Sequence, residues 1–322
     1  MKVIDLFSGC GGMSLGFQNA GFDIVAAYDN WNPAVMLYRD NFEHPIYEFD
    51  LDDPVSHEHI KDFSPDVVIG GPPCQDFSSA GKRDDTLGRA DLTITYAEIV
   101  KKVRPRFFVM ENVERIKKSR ILDQSIDILA GCGYGLTMKV LDASYCGVPQ
   151  ARKRFFMIGC IDEYDDFLLP FLNGNLSKSR MTMRDYFGES LGVEHYYRHP
   201  RSYKRRGIFS IDEPSPTVRG VNRPIPKGYN PHHGDTSPVT DKVRPLTTKE
   251  RSLVQTFPAD FLLKGSKTNV EQAIGNAVPV KLAEYVANCL QEYVNVKREN
   301  TYKANAQARM AMDKDTLSYS QV

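Results

Sequence analysis

The sequence predicts an α/β fold, in which a mostly parallel sheet is covered by helices on both faces and carries a smaller, loop-rich companion domain. Three observations predict it. Over roughly the first half of the chain, short apolar runs alternate with helical patterns. From residue 173 to 245 the chain becomes rich in Pro, Gly, Arg, Tyr and Ser and loses helical periodicity. A helical apolar stripe then returns at Val280, Leu282, Ala283, Val286, Ala287 and Leu290, as expected of a core-facing helix.

Taken in order, the expected strands cover residues 3–7, 24–28, 66–70, 106–110, 136–141 and 154–160. The expected helices between them cover 13–20, 33–41, 92–103 and 121–131. Regular structure is expected again near 248–257 and at 278–293. From residue 296 the chain is polar and is expected to fray, although 302–312 is compatible with a helix. With 322 residues, one large domain plus a smaller one is the natural division.

Composition narrows the function classes. Hydrophobic residues make up 41% and charged residues 25%, as in ordinary globular enzymes. No apolar run approaches the roughly 18 residues of a membrane span. Met1 leads directly into a strand-like segment, so no signal peptide is expected. The six cysteines contain no C-x-x-C pair, which argues against a metal site or redox dithiol and for reduced thiols in the cytoplasm. Net charge is zero, but residues 180–244 hold 12 Lys and Arg against 7 Asp and Glu. A basic segment on an otherwise acidic body fits a polyanion-binding face, though a solvated surface has the same composition.

Ligands in such sheets sit beyond the carboxyl ends of the strands, so the residues just after each strand carry the information. Phe7, Ser8, Gly9, Cys10, Gly11 and Gly12 follow the first strand and precede a helix. Glycines there permit a tight turn and a closely approaching ligand, and the helix N-terminus offers unpaired N–H groups. The spacing is not the G-x-G-x-x-G of a dinucleotide fold. Asp29 ends the second strand, placed to accept from ribose hydroxyls, and Asp50 ends the third, within reach of an adenine edge. Each acid alone is as well explained as a helix cap or a surface residue. Three successive strand ends carrying a glycine loop and two acids point instead to an adenosyl ligand without phosphates. Trp31, the only tryptophan, is either a stacking surface for that adenine or a core or rim residue.

Gly71, Pro72, Pro73, Cys74 and Gln75 follow the strand containing Val67, Val68 and Ile69. Two prolines fix the backbone before Cys74, whereas a structural cysteine sits more naturally inside an apolar run, so this thiol reads as a nucleophile. Phe107 to Met110 lead into Glu111 and Asn112. A carboxyl at the end of a buried strand can keep a proton to donate, unless it is a salt-bridged acid. Gln150, Arg152 and Arg154 alternate along an extended segment, so the two arginines share a face. A solvated charge run is the plain alternative.

In this order the motifs resemble the cytosine-C5 DNA methyltransferase family in its bacterial restriction-modification form, over nearly the whole chain. The matching segments are the loop from Phe7 to Gly12, then Pro73, Cys74 and Gln75, then Glu111, Asn112 and Val113, then Gln150, Arg152 and Arg154. They continue with Arg244 to Glu250 running into Gln255, Thr256, Phe257 and Pro258, and end with Gly275, Asn276, Ala277, Val278 and Pro279. Each is modest alone, and six in sequence are specific. The resemblance implies a Rossmann-like S-adenosylmethionine-dependent methyltransferase domain with a smaller loop-rich target-recognition domain. The implied division is 1–172 plus 276–295 catalytic and cofactor-binding, 173–247 target recognition, 248–275 hinge and 296–322 tail.

Carbon 5 of cytosine is a poor nucleophile until a thiolate adds at C6 and N3 is protonated, which makes the ring an enamine. The resemblance assigns the thiolate to Cys74 and the N3 donor to Glu111. It assigns contact with the base O2 to Arg154, supported by Arg152, and bracing of the catalytic loop to Asn112. S-adenosylmethionine is expected on Phe7, Ser8, Gly9, Gly11, Gly12, Asp29, Asp50, Leu92 and Asn276. Because a duplex hides C6, the base must be flipped out, and residues 75–89 resemble the loop that closes on it. Double-stranded DNA is expected to meet Gln75, Ser78, Arg198, Arg201, Arg205, Arg206, Thr217 and Arg219, with Thr217 and Val218 similar to the family's Thr-aliphatic pair. A cognate restriction endonuclease, a monomeric state and a cytoplasmic, nucleoid-associated location are the further expectations.

Some positions depart from the family pattern. Asp29 stands where Glu is usual, Trp31 lies one position later than the usual aromatic, residues 84–91 match an Asp-Pro-Arg-Gly pattern only loosely, and Thr256 replaces a common Gly. Rival readings are weaker. The animal-type tRNA cytosine-C5 enzymes carry a Cys-Phe-Thr signature that this chain lacks. Amino-group methyltransferases have an aromatic residue where Cys74 stands. A catalytically silent DNA-binding regulator has no need to keep both Cys74 and Glu111.

Overall fold

The computed structural model describes residues 1–73, 92–200, 202 and 204–319, of which 301–319 are described as backbone alone. The N-terminal half alternates as expected: β1 (Lys2–Leu6), α1 (Gly12–Asn19), β2 (Asp23–Asp29), α2 (Asn32–Arg39), β3 (Ile46–Glu48), α3 (Pro54–Asp62), β4 (Val67–Gly70), α4 (Leu92–Val103), β5 (Phe107–Val113) and α5 (Arg120–Gly131). Next come β6 (Tyr134–Asp142), β7 (Gln150–Ala151), β8 (Lys153–Ile161) and α6 (Leu169–Gly174). The basic stretch contributes only α7 (Met183–Phe187), β9 (His195–Tyr197), β10 (Ile208–Ser210), β11 (Ser215–Pro216) and β12 (Arg244–Pro245). The chain closes with α8 (Thr248–Val254), α9 (Lys267–Asn276) and α10 (Val280–Tyr319).

Seven strands form one sheet in the order β3-β2-β1-β4-β5-β8-β6. Pairing is parallel from β3 through β5, while β8 runs antiparallel to both of its neighbours. Strand order reverses direction between β1 and β4, which creates the crevice where open α/β sheets bind ligands. Both faces are covered, so alternate residues of one strand enter different cores. Val3, Val67, Ile69, Phe107 and Val109 pack with Leu282, Val286 and Leu290 of α10. Ile4, Leu6, Val68, Phe108 and Met110 pack on the other face with Tyr96, Ile99 and Val100 of α4. Each such fully buried side chain stabilises the fold by about 1.5–3 kcal/mol relative to exposure.

A separate apolar cluster, including Met183, Tyr196, Phe209, Leu246, Phe257, Val270 and Ile274, underlies the three-stranded sheet β10-β9-β12 and the helices α8 and α9. The loop-rich region is tied to the large sheet's unit by β11, which pairs in parallel with β7 through Ser215 and Gln150.

Several elements differ from the sequence expectation. The short edge strand β3 ends at Glu48, two residues before Asp50, and like the helix α3 it carries too few apolar residues to show a period, although Asp53 caps α3 by accepting from the Val55 N–H and Pro54 opens it. The helix α9, capped by Ser266, has no counterpart among the expected elements. The polar tail expected to fray from residue 296 instead continues α10 to Tyr319. Residues 297–313 hold many Lys, Arg, Ala, Gln and Met, which favour helix without an apolar stripe.

Candidate active site

The carboxyl ends of β1, β2, β4 and β5 converge on a cavity of about 590 Å³. Its wall includes Phe7, Ser8, Gly9 and Gly12 after β1, Asp29 and Trp31 after β2, Pro72 and Pro73 after β4, and Glu111 on β5. Leu92, Arg152, Arg154 and Asn276 complete it. A second, basic cleft of about 990 Å³ carries Arg198, Lys204, Arg205, Arg206, Arg219 and His232. The two share Arg152, Arg154, Gly275 and Asn276, so a group lodged in the cleft lies one side chain away from the smaller cavity.

Glu111 lines the smaller cavity beside Arg154, one of the residues the two share. It is 8% exposed, and its Oε1 lies 2.8 Å from Arg154 Nε. Burial pushes its pKa up, and the opposing pull of Arg154 and then Arg152 is insufficient to cancel this. The carboxyl therefore holds a proton further toward neutral pH than an ordinary glutamate. A β-carbon at position 71 would approach Glu111 Oε2 to 3.2 Å, so Gly71 leaves the carboxyl its space. The adjacent Asn112 donates from Nδ2 to the Pro72 carbonyl at 3.0 Å and accepts the Val113 N–H at its Oδ1. This ties the Pro72–Pro73 turn to β5. Cys74, Gln75, Ser78 and Arg201 lie outside the described residues, as does the expected closing loop, and Pro73 on the cavity wall immediately precedes Cys74 in sequence.

Arg152 and Arg154 differ more than their spacing implied. Arg154 faces Glu111 and both cavities. Arg152 is 1% exposed and donates to the carbonyls of Val218, Gly275, Asn276 and Ala277 at 3.0–3.4 Å. Its guanidinium thus clamps three chain segments together, and its bearing on Glu111 is through charge. No sequence pattern signals this, because the accepting carbonyls are backbone atoms more than sixty residues away.

The cofactor residues anticipated from sequence fall into two groups. Phe7, Ser8, Gly9, Gly12, Asp29, Leu92 and Asn276 line the cavity, whereas Gly11 and Asp50 are not in its wall. Gly11 adopts φ +90°, and a β-carbon there would strike the Phe42 ring, so packing demands that glycine. Gly12 meets the Val278 carbonyl in the same way. Asp50 is exposed and accepts the Asp52 N–H in its own turn. Asp29 accepts the Gly9 and Trp31 N–H groups, both at 2.8 Å, which fixes the loop and leaves further lone pairs for a ligand. The Oδ1 of Asp5 and the Oγ of Ser8 are buried in this wall without protein partners. Orphaned acceptors, an acid at the ribose position and the apolar Trp31 and Leu92 surfaces together fit an adenosyl ligand carrying a positive centre.

Of the expected DNA contacts, Arg198, Arg205, Arg206, Thr217 and Arg219 all line the cleft. Several are already engaged. Arg206 pairs with Glu213 at 2.5 Å, Arg198 donates to the Thr217 carbonyl, Thr217 donates to the Ala151 carbonyl, and Arg219 donates to the His199 carbonyl. Lys204 and Arg205 are exposed on the cleft and form no ion pair among the described residues.

The family described as C-5 cytosine-specific DNA methylase matches residues 1–292. The chain is 60% identical over 301 residues to the Type II methyltransferase M.HindV of Haemophilus influenzae, covering 93% of this chain and 98% of that protein. It is 58% identical over 301 residues to the Type II methyltransferase M.HgiDI of Herpetosiphon aurantiacus, covering 92% and 96%. Among solved structures it is similar to the S. pombe Dnmt2 methyltransferase, with a TM-score of 0.68 at 19% identity over 92% of this chain and 99% of that one. At that identity the likeness speaks for the fold alone.

Proposed function

The chain belongs to the C-5 cytosine-specific DNA methylase family, and from that premise we propose how its residues methylate carbon 5 of a cytosine flipped out of double-stranded DNA. The protein is a DNA cytosine-5 methyltransferase of the Type II restriction-modification kind. The observation that carries the residue assignment is Glu111, a buried carboxyl with a raised pKa in the wall of the small cavity, paired with the Arg154 that this cavity shares with the basic cleft. It lies beside the turn that leads to Cys74.

S-adenosylmethionine, when bound, supplies an electron-poor sulfonium methyl to the reaction. Asp29 would hold its ribose, Phe7, Ser8, Gly9, Leu92 and Asn276 its remaining surfaces, and Trp31, on the same wall, would cover the adenine. The thiolate of Cys74 adds to C6 of the base. Glu111 donates its proton to N3, so the electron pair displaced by addition is stabilised and C5 becomes nucleophilic. Arg154, held by Glu111, presents donors to the base O2, and Asn112 keeps the Pro72–Pro73 turn in register with Glu111. Loss of the C5 proton after methylation expels Cys74.

Lys204 and Arg205 are the cleft cations best placed to meet the duplex. A monomeric enzyme in the cytoplasm, acting with an endonuclease that cuts the same site, completes the proposal.

Transfer of a labelled methyl group to DNA tests the assignment. Cys74→Ala is expected to abolish turnover while DNA binding persists, and retained turnover would remove Cys74 from the mechanism. DNA carrying 5-fluorocytosine should become covalently attached to the unaltered enzyme, because fluorine cannot leave as a proton does. Bisulfite sequencing of treated plasmid then reports the base and the site.

A further inference from the structure

Asp5 is not needed by the mechanism above, yet it is a fully buried carboxyl in the wall of the cofactor cavity. Its Oδ1 has no protein partner. Its Oδ2 accepts the Ser14 backbone N–H at 3.1 Å and the Ser14 hydroxyl at 2.6 Å. The hydroxyl of Ser14 in turn lies 2.6 Å from Tyr38 Oη, and Tyr38 Oη lies 2.6 Å from His44 Nε2. Ser14 and Tyr38 are buried, and His44 is half-buried at the outer end. An unbroken chain of hydrogen bonds therefore runs from the cavity wall toward solvent.

Such a chain has two self-consistent arrangements. With Asp5 ionised, His44 Nε2–H donates to Tyr38, Tyr38 donates to Ser14, and Ser14 donates to Asp5. With Asp5 protonated, every bond reverses and Tyr38 donates to the bare His44 Nε2. Passing from the second arrangement to the first moves one proton along each bond, and His44 releases one proton from its Nδ1 to water. No group gains or loses net charge except Asp5.

We propose that Asp5 is the charge-compensating group of this cavity, ionised when a cationic sulfonium is bound and protonated when the neutral thioether product replaces it, with Ser14, Tyr38 and His44 carrying the proton. The inference rests on the cofactor reading of the cavity. The groups facing Asp5 favour such a switch. Burial raises its pKa to about 7, and Asp29 on β2 adds to the rise, against the two hydrogen bonds from Ser14 on α1. Tyr38 on α2 and Tyr96 on α4 also face it, and burial keeps both phenols neutral. Cys10 in the adjoining loop is likewise held as a neutral thiol, raised to about 12. Around His44, burial lowers the pKa and Asp23 opposes this, so the imidazole can pass on a proton near neutral pH.

Calorimetric titration of the intact protein with S-adenosylmethionine and with S-adenosylhomocysteine, each in buffers of different ionisation enthalpy, counts the protons exchanged. Near neutral pH the sulfonium is expected to release up to about one more proton than the thioether. Its affinity advantage should shrink by up to about tenfold for each pH unit below Asp5's pKa. Asp5→Asn should still bind the thioether but lose both the extra proton and the pH dependence. For the relay, Tyr38→Phe should introduce a lag between ligand binding and the appearance of a proton in stopped-flow with a pH indicator, and no lag would overturn it. Equal proton counts for the two ligands in the unaltered protein overturn the whole proposal and leave the cofactor reading standing. If neither ligand binds, both fall.

Discussion

Glu111 and Asp5 are carboxyls held by the same force, burial, and put to different use. Glu111 gains an arginine partner and stays raised because desolvation outweighs it. Its protonated form is the useful one, so activity should decline as pH rises through its raised pKa. Glu111→Gln is expected to lower kcat by about 10²–10⁴-fold and to remove that alkaline limb, as single-turnover rates across pH would report. For Asp5 the consequence appears in stability. Its folded pKa of about 7 exceeds the unfolded value near 3.8, so folding takes up a proton between them and stability falls as pH rises through that window. The Tm advantage of Asp5→Asn over the unaltered, ligand-free protein should therefore grow from acid to neutral pH and then level off. A constant difference across pH would show that Asp5 titrates normally.

Between elements, the decisive contacts are amide and guanidinium bonds that no single helix or strand contains. Gln150 on β7 accepts the Val218 N–H at 2.9 Å and donates to Gln255 Oε1 at 2.7 Å. Gln255 then donates to the carbonyls of Ile274 and Ala277 beside α9. With the Arg152 clamp, this network fixes the entry to the recognition region against the segment bearing Asn276. Gln150→Leu keeps the volume but leaves a buried N–H and a buried amide oxygen unpaired. The expected cost is about 2–6 kcal/mol, read from denaturant midpoints, at about 1–3 kcal/mol per orphaned group. A near-zero change would mean that water replaces the glutamine.

Across the whole molecule, the surplus of basic residues in the recognition region is partly cancelled where it stands. Arg184 is surrounded by Glu189, Glu194 and Asp212, and Arg206 by Glu213. Lys204 and Arg205 are left to supply positive charge to the cleft. Removing either by an alanine substitution should reduce the slope of log K for DNA against log salt by about 1. Arg184→Ala should leave that slope nearly unchanged. An equal loss from all three variants would indicate that net charge alone governs binding.

The sheet, its two covered faces and the strand-end positions of Phe7, Asp29, Pro73 and Glu111 were legible because apolar periodicity and the prolines act locally. So was the nature of the reaction, through the resemblance that six motifs in order bear to a known family. Short or polar elements such as β3, α3 and the C-terminal extension of α10 were not legible, because their stability comes from caps and propensity without an apolar stripe. Only the tertiary structure separated Arg154, which faces Glu111, from Arg152, which spends its donors on distant carbonyls. It also moved Gly11 from ligand contact to packing against Phe42, left Asp50 off the cavity wall, and joined Asp5 to His44. A residue's type sets what it can donate or accept, but its partners are set by where the chain returns, and that information is spread over hundreds of residues.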